Sequence, residues 1–384
     1  MKPGFNIKSK LPETGLSIFA VMSKMASESG AINLSQGFPD FNCSEELIDL
    51  VNHFMKKGFN QYAPMPGTIE LRKEISLKVQ REYDKHYLPE TEITVTAGAT
   101  QALYTAISVI INPGDEVIIF EPAYDSYIPA IRINGGIPVP IKLNTQDFSI
   151  PWNEVEKAIT DKTKCLIFNS PHNPSGSILK RSDIEMAEKI LQDKNIFVIS
   201  DEVYEHIVFD NYTHISFYSS DKLSNKSFVI SSFGKTFHTT GWKIGYCCAP
   251  EYLMNEFRKV HQFIVFTVNT PVQLAISEFL KNENNIKNVS NFYQNKRDIF
   301  RDLIRQSNFK IRNCNGTYFQ LLDYSDISDK NDLEFAEYLT RDVGVAVIPL
   351  SPFYTDSESG KLIRVCFAKQ EIVLRDAATK LSRL

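Results

Sequence analysis

Residues 228–246 read FVISSFGKTFHTTGWKIGY, in which an apolar run is followed by small residues, glycines and Lys235. The run at 228–230 is typical of a strand that is covered on both faces. The serines and the glycine before the lysine leave room beside it for a bulky group. Taken alone, a lysine at the end of a strand is usually a solvated charge, but a desolvated lysine attacks carbonyl groups and holds them covalently. The stretch therefore predicts a buried strand that ends at a candidate nucleophile.

The same kind of run recurs upstream. Four further short apolar runs lie at residues 93–96, 117–120, 165–168 and 196–199. Sequences with helical periodicity separate several of them, as at residues 100–111 and 182–194. Continuous apolar strands that alternate with helices indicate βαβ units around a largely parallel sheet. We therefore predict an α/β fold.

Distinctive side chains follow each predicted strand. In open α/β sheets, ligands bind outside the carboxyl ends of the strands, and these ends lie at one edge of the sheet. This edge is therefore the predicted site. The residues at these ends are Gly98, Tyr124, Asn173, Asp201, Tyr204 and Lys235.

Pyridoxal phosphate is a carbonyl cofactor whose requirements match several of these side chains. It needs a carboxylate at its pyridine nitrogen, which Asp201 would supply, although Asp201 would equally serve as the N-cap of a helix. Asn173 and Tyr204 would hydrogen-bond the phenolic oxygen, and Tyr124 would stack on the ring. Each of these three is also explained as a turn or packing residue. The coincidence of such residues after successive strands favours the cofactor.

The cofactor's phosphate would need free N–H groups and positive charge. Gly98, Ala99 and Thr100 lie between a predicted strand and a predicted helix, so the helix N-terminus is a candidate anion site. Ser232 would add a hydroxyl group and Lys243 a charge. Glycine is common in such turns, so this signal is weak by itself.

The composition limits the classes of function. The 384 residues include 42 Lys and Arg against 46 Asp and Glu, a net charge of -4, without a basic block of the kind that binds nucleic acid or membranes. The six cysteines are scattered, which favours reduced thiols over a disulfide framework. Neither a signal peptide nor an apolar segment of about 20 residues is present. We predict a cytoplasmic protein that acts on small molecules, without a nucleic acid or membrane partner.

The length favours more than one domain. Charge-rich helical sequence begins near residue 278, and shorter strand-like pieces follow at 317–319 and 362–367. We predict an N-terminal arm at 1–44 that joins the small domain, a large domain at 45–276 and a small α+β domain at 277–384.

Six motifs of this sequence resemble those of the class I and II aminotransferases, the fold type I pyridoxal-phosphate enzymes. They extend from about residue 33 to 368. Their residues are most similar to the motifs of the branch that contains kynurenine/glutamine transaminases and bacterial methionine aminotransferase. The resemblance implies a mainly parallel seven-stranded sheet between helices, with a smaller α+β domain. The motifs are LSQGFPDF with Gly37, NQYAPMPG with Tyr62, NSPHNPSG with Asn173, SDEVYE with Asp201 and Tyr204, SSFGKTFHTTGWKIGY with Lys235 and Lys243, and LIRVCFAK with Arg364.

The resemblance also implies roles for the matching residues. Lys235 would carry pyridoxal phosphate and move a proton at the substrate Cα, while Arg364 and the Gly37 amide would hold the substrate carboxylate. Asp201 would pair with the pyridine nitrogen, Asn173 and Tyr204 with the phenolic oxygen, and Tyr124 with the ring face. The phosphate ligands would be Gly98, Ala99, Thr100, Ser232 and Lys243, joined by Tyr62 of the partner subunit in a homodimer with shared active sites.

The predicted substrates are an amino acid and a 2-oxo acid. Ile18, Phe19 and Phe266 would supply apolar surface for the amino acid side chain, and no second arginine accompanies them. An apolar pocket leaves a side-chain carboxylate unpaired, so a neutral substrate is favoured. We expect methionine foremost, with glutamine, kynurenine and the aromatic amino acids as further substrates.

Two other functions compete with transamination. A pyridoxal-phosphate β-lyase that cleaves carbon–sulfur bonds would use the same lysine, aspartate and arginine. A ligand-sensing regulator on an aminotransferase-like domain would need a DNA-binding segment, for which the residues before LSQGFPDF are too few. No zinc-ligand or G-x-S-x-G motif is present, so we expect neither a metal site nor a serine hydrolase.

Overall fold

The computed structural model describes residues 7–384 and contains thirteen strands in this range. In chain order the strands are β1 (Ile32–Asn33), β2 (Ile93–Thr96), β3 (Glu116–Glu121), β4 (Ile137–Lys142), β5 (Thr163–Asn169), β6 (Phe197–Asp201), β7 (Ser227–Ser232), β8 (Gly245–Cys248), β9 (Lys310–Ile311), β10 (Phe319–Asp323), β11 (Val345–Ala346), β12 (Ile348–Pro349) and β13 (Leu362–Cys366).

Fourteen α-helices lie between and around these strands in the same range. They are α1 (Ile18–Ser29), α2 (Glu45–Lys56), α3 (Ile69–Tyr83), α4 (Ala99–Ile110), α5 (Tyr127–Ile133), α6 (Trp152–Ala158), α7 (Arg181–Leu191), α8 (Asp221–Ser224), α9 (Phe233–Thr236), α10 (Glu251–Ile264), α11 (Thr270–Leu280), α12 (Asn284–Ile304), α13 (Asp332–Tyr338) and α14 (Glu371–Leu381).

Seven strands form one sheet in the order β2-β8-β7-β6-β5-β3-β4. Every neighbouring pair is parallel except the two pairs that include β8. Apart from Ile196, which directly precedes β6, the five predicted apolar runs lie in strands of this sheet, which confirms the α/β fold with a mainly parallel sheet.

Helices cover both faces of the sheet. On β5, Cys165 and Ile167 belong to the apolar core on one face, and Leu166 and Phe168 to the core on the other. Helices α4, α5 and α10 contribute to the first core, whereas α3, α7 and α11 contribute to the second. Because successive side chains of a strand alternate between faces, burial on both sides explains the continuous apolar runs.

Strand β4 was not predicted. Its sequence, IPVPIK, contains Pro138 and Pro140, which lack the N–H group that a central strand donates. In the structure β4 pairs only with β3 and forms one edge of the sheet, where a missing donor costs nothing. An edge strand with two prolines carries little of the pattern by which strands are predicted.

A second, antiparallel sheet of order β12-β13-β10-β9 is built from the C-terminal part of the chain. Strand β1 pairs in parallel with β11, and the Cys366 N–H donates to Leu34 O at 2.8 Å. Helix α1 and strand β1 of the predicted arm therefore contact C-terminal elements, whereas Glu13 pairs with Arg132 of α5, and residues 1–6 lie outside the described range. The expected boundary at 276/277 lies inside α11, and the three-part division stays a prediction.

The strand expected at residues 317–319 begins later, with β10 at Phe319. Thr317 has a φ of 65°, which is left-handed and interrupts an extended chain. The apolar pattern of residues 317–319 does not reveal this turn. Among the described residues, no helix is long and apolar enough to cross a membrane.

Gly245 allows β8 to approach the start of α4. It pairs with Thr96 of β2 and Ser232 of β7, so it lies between two strands that end at the predicted site. A Cβ atom at this position would lie 2.7 Å from Ser231 O and 2.9 Å from Ala99 N, both backbone atoms. A side chain would therefore push α4 away from the sheet.

We predict that Gly245→Ala lowers the free energy of unfolding by about 1–3 kcal/mol, because backbone must move to admit the methyl group. Gly241→Ala is the matched control, since a Cβ atom there would meet nothing within 4 Å. Urea unfolding of both variants and the wild type measures the difference. Equal stability of the two variants would contradict the close approach.

Candidate active site

A cavity of about 310 Å³ lies at the carboxyl ends of β2, β6 and β7, beside the start of α4. Residues from the arm, the large sheet and the small sheet all contribute to its wall. They are Phe19, Gln36, Gly37, Phe38, Gly98, Ala99, Thr100, Leu103, Tyr124, Asn169, Asn173, Asp201, Val203, Tyr204, Ser232, Gly234, Lys235, Thr240, Lys243, Phe319 and Arg364.

Three predicted site residues lie outside this wall. Tyr62 is 84% exposed, and its ring packs edge-on against that of Phe266, with the centroids 5.5 Å apart. Phe266 itself is 46% exposed. Ile18 is the first residue of α1 and packs against the core. All the other predicted site residues line the cavity. The roles assigned to Tyr62, Phe266 and Ile18 stay predictions.

Lys235 lies in α9, directly after β7, and its ammonium group points at aromatic and carbonyl groups. Its Nζ donates to the Tyr318 hydroxyl at 3.0 Å and, more weakly, to Gly37 O at 3.4 Å. It also lies 5.6 Å from the ring centroids of Tyr204 and Tyr318. Burial lowers the pKa of Lys235 to about 8, because the charged form loses hydration. A substantial neutral fraction is therefore present near physiological pH, as a nucleophilic amine requires.

Asp201 ends β6 with a buried carboxyl group. Its Oδ2 accepts a hydrogen bond from Tyr127 Oη at 2.6 Å, and Oδ1 accepts a longer one from Val203 N at 3.4 Å. No α-helix begins there, since the next helical element along the chain starts at Phe217, so the N-cap alternative is wrong. Burial raises the pKa of Asp201 to about 6, which the Tyr127 hydrogen bond only partly offsets. The carboxylate is thus placed to meet a cationic or N–H donor group.

Arg364 lies on β13 and is only 1% exposed. Its guanidinium donates to Asn173 Oδ1 at 2.8 Å and to Ser35 O at 3.1 Å, and it lies 3.9 Å from the ring centroid of Phe319. Among the described residues no carboxylate forms a salt bridge with it, although Asp125 acts on its charge without direct contact, and its Nε has no hydrogen-bond partner. Burial lowers the pKa of Arg364 to about 10, yet the group stays charged.

A buried guanidinium without a carboxylate indicates a site for an anionic ligand. An arginine in an apolar strand would ordinarily face outward from an edge, but Arg364 is buried and β13 lies between β12 and β10. The contact with Arg364 also orients Asn173. Because a guanidinium has only donors, the amide oxygen faces it, and the NH₂ group of Asn173 is left to donate to a ligand.

The start of α4 forms an anion cradle. Gly98 is the N-cap, with a φ of 76° and no side chain to cap the first turn. The side chain of Lys243 lies across it, since a Cβ atom on Gly98 would be 3.2 Å from Lys243 Nζ. Ser232 completes this part of the wall. Uncapped N–H groups, a helix N-terminus and an ammonium group together suit a phosphate.

Sequence reasoning missed several residues of the site. Asn169 donates to Asp201 O at 2.8 Å and accepts from Asn173 N at 2.8 Å, and as the last residue of β5 it satisfies the strand-end rule that found the others. Tyr127 and Tyr318 contact Asp201 and Lys235 through their hydroxyl groups. Tyr127 follows the predicted strand at 117–120, three residues after Tyr124, so the strand-end rule applied further along the segment would have included it. Tyr318 lies within the strand predicted at 317–319 and carries no strand-end signal.

Comparison with known proteins identifies the family. The sequence matches the model of aminotransferase class I and II over residues 29–381. It is 46% identical over 378 residues to methionine aminotransferase of Escherichia coli strain K12, with 98% of each chain covered. It is 34% identical over 410 residues to kynurenine–oxoglutarate transaminase of Dictyostelium discoideum, with 96% of this chain and 94% of the relative covered. Among solved structures, it matches Escherichia coli YbdL, a protein with a methionine aminotransferase function, with a TM-score of 0.97 and 46% identity over 99% of this chain and 100% of the other.

This chain therefore belongs to aminotransferase class I and II and is a pyridoxal-phosphate-dependent aminotransferase, as its motifs suggested. Amino acids and 2-oxo acids are the substrates of such an enzyme. The residues of the cavity fit the cofactor, because a buried amine, a buried carboxyl group and an anion cradle lie around one cavity.

We predict that Asp201→Asn stabilises the cofactor-free protein above about pH 6, by up to about 3 kcal/mol. The carboxyl group has a pKa of about 3.9 in the unfolded chain, whereas in the fold its pKa is about 6. The wild type therefore loses stability as the pH rises between these values, and the variant does not.

Chemical unfolding at several pH values between about 4 and about 8 measures this difference. It should be absent at the acidic end and complete above about pH 6. Asp376→Asn, which changes an exposed carboxyl group on α14, is the control. Its difference in stability from the wild type should not grow with pH in this way. A constant difference between wild type and Asp201→Asn at all pH values would contradict the prediction.

Proposed function

We propose that this aminotransferase acts on neutral amino acids with a sulfur-containing or aromatic side chain, methionine foremost, and passes the amino group to a 2-oxo acid in two successive half-reactions. The observation that carries the proposal is the setting of Arg364. It is the only guanidinium in the cavity wall formed by the described residues, and aromatic rings surround it.

One guanidinium suffices for the α-carboxylate that every amino acid substrate has. A second carboxylate, as in aspartate, would lie unpaired against Phe19 or Phe319, because the other cationic groups of the wall, Lys235 and Lys243, are needed elsewhere. Burying an unpaired carboxylate is costly. The identity of 46% to a methionine aminotransferase supports the same substrate class.

The position of these residues around one cavity and the similarity to the family support the following roles. Pyridoxal phosphate, when bound, supplies an aldehyde that condenses with amines and a ring that withdraws electrons from the substrate Cα. Lys235 holds this cofactor covalently and, once displaced by a substrate amine, takes and returns the proton at Cα. Asp201 pairs with the ring nitrogen, the NH₂ group of Asn173 and the Tyr204 hydroxyl bind the phenolic oxygen, and Tyr124 stacks on the ring.

The remaining groups bind the two anions. The N–H groups of Ala99 and Thr100, with Ser232 and Lys243, hold the cofactor phosphate. Arg364 and the Gly37 amide hold the substrate carboxylate, so that Cα lies near Lys235 Nζ. Fixing both anions orients the bond to the Cα proton toward the amine and removes the entropic cost of that alignment from the reaction step.

A homodimer with shared sites is the proposed assembly. Tyr62 is exposed and its ring packs against that of Phe266, which is 46% exposed, while Phe263, three residues earlier in the chain, is 87% exposed. Such a group of apolar residues is typical of an interface. In the dimer, Tyr62 would reach the cofactor phosphate of the partner subunit.

The first test of the proposed substrate is a panel of amino acids. We expect methionine, glutamine, kynurenine and the aromatic amino acids to bleach the visible band of the purified holoenzyme in the absence of an acceptor. Aspartate should react with a kcat/KM at least about a hundredfold lower, because its second carboxylate finds no partner. Aspartate reacting as fast as methionine would refute the proposed pocket.

The same assay separates transamination from carbon–sulfur cleavage. A β-lyase releases pyruvate and a thiol from cystathionine or cysteine conjugates without an oxo-acid acceptor. Release of these products at a rate above that of the transamination of methionine would favour the β-lyase.

The shared site is tested by mixing two defective subunits. We predict that co-expressed Lys235→Ala and Tyr62→Phe chains recover about a quarter of the wild-type activity at limiting cofactor, since half of the dimers are hybrids and each hybrid has one intact site. If Tyr62 served its own subunit, no hybrid would contain an intact site. Each variant expressed alone is the control. Activity of the mixture no higher than that of Tyr62→Phe alone would show that Tyr62 does not serve the site of the partner subunit.

A further inference from the structure

Tyr318 connects three parts of the site through one hydroxyl group. It lies directly before β10 and is completely buried. Its Oη donates to Gly37 O at 2.6 Å and accepts from Lys235 Nζ at 3.0 Å. The ring also packs edge-on against that of Tyr204, with the centroids 5.2 Å apart. A residue of the small sheet thereby contacts the arm and the reactive lysine at once.

The direction of these hydrogen bonds follows from chemistry. The Gly37 carbonyl has no proton to give, so the short contact with it uses the only proton of Tyr318. Toward Lys235 the hydroxyl is therefore an acceptor, whether the lysine is an ammonium ion or a neutral amine. Gly37 O accepts from the same nitrogen at 3.4 Å.

These acceptors determine where the lone pair of a neutral Lys235 points. Two of its N–H bonds are directed at Tyr318 Oη and Gly37 O, so the remaining position around the nitrogen carries the lone pair. Neither acceptor can donate to that lone pair and quench it. The free amine is thus held ready to take a proton.

We propose that Tyr318 is a positioning residue. It accepts a hydrogen bond from the released amine of Lys235 and donates none to it, so that the lone pair of the amine faces the substrate Cα. This inference rests on the role of Lys235 proposed above.

The Gly37 peptide links this arrangement to substrate binding. Its carbonyl receives the Tyr318 proton, and its amide is proposed to bind the substrate carboxylate. Gly37 is closely packed, because a Cβ atom on it would lie 2.9 Å from Phe319 Cζ. The proposed carboxylate-binding N–H and the carbonyl that accepts from Tyr318 are thus held on one closely packed residue.

Other groups also act on the charge of Lys235 and stay unchanged in the test. Asp201 and Cys366 favour its charged form, whereas Arg364 and Lys243 disfavour it. These groups come from β6, β13 and the segment after α9, and they surround the lysine together with Tyr204 and Tyr318.

Tyr293 offers a matched control beside Tyr318. Its ring centroid lies 5.5 Å from that of Tyr318, and it is equally buried. Among the described residues its hydroxyl has no hydrogen-bond partner. Removing either hydroxyl deletes the same atom from the same aromatic cluster, but only one of them contacts Lys235.

The first measurement concerns the cofactor-free chain. Limiting acetic anhydride labels Lys235 only in its neutral form, and mass spectrometry of its peptide between about pH 6 and about pH 10 gives a midpoint. We expect a midpoint near 8 for the wild type and Tyr293→Phe. Tyr318→Phe should lower it, because the ammonium form loses an acceptor. Tyr318→Met also lacks the hydroxyl, and its flexible side chain fills the space. It serves as a second variant if Tyr318→Phe does not fold.

The second measurement concerns the holoenzyme. With saturating methionine, Tyr318→Phe should slow the first half-reaction by about tenfold or more, as expected when a charge-assisted hydrogen bond at the reacting atom is lost. The effect of deuterium at Cα should increase, because proton transfer becomes more rate-limiting. Tyr293→Phe should change neither value.

The outcomes separate this inference from the proposed function. An unchanged labelling midpoint or an unchanged isotope effect in Tyr318→Phe would overturn the role of Tyr318, even if Lys235→Ala loses the visible band and the role of Lys235 stands. Equal effects of the two Phe variants would overturn it as well, since packing alone would then explain both. A lysine whose loss leaves the half-reaction intact would instead refute the proposed function.

Discussion

The burial of Arg364 without a salt-bridge partner is the constraint on which the site depends. A guanidinium of such low exposure is stable only where other groups replace water, and here an amide oxygen, a backbone carbonyl and an aromatic face do so incompletely. Its Nε still lacks a partner. Asp201 and Lys235 are buried in the same cavity with pKa values shifted toward neutrality. The cavity thus holds ionisable groups whose lost hydration is replaced fully only by ligands.

The burial of these ionisable groups lowers the free energy of unfolding but prepares the cavity to bind ligands. The fold tolerates these groups because two large apolar cores, one on each face of the seven-stranded sheet, stabilise the frame that carries them. Rigid strand ends then fix the positions of the charges, so that a ligand finds its partners already oriented. Side chains on a mobile surface would instead lose conformational entropy in each binding event.

Much of the fold and of the site was predictable from sequence, for a definite reason. Strands buried on both faces leave continuous apolar runs, and parallel strands end at one edge, so the residues after them converge. Asp201 and Lys235 were found in this way, and Asn169 satisfies the same rule although it was missed. Strand β4 lacked the pattern because of its prolines, and Tyr318 was invisible because its partners lie far away in sequence.

The antiparallel strand β8 bears on when the site is assembled during folding. By its place between β2 and β7, it brings the start of α4 next to the lysine-bearing turn, although about 136 residues of chain separate Ala99 from Lys235. Arg364 and Gly37 close an even longer loop. Contacts of such sequence separation carry a loop-closure entropy that other structure must offset. We therefore expect the cofactor to bind chains that have already folded and to stabilise them by mass action, rather than to nucleate the fold.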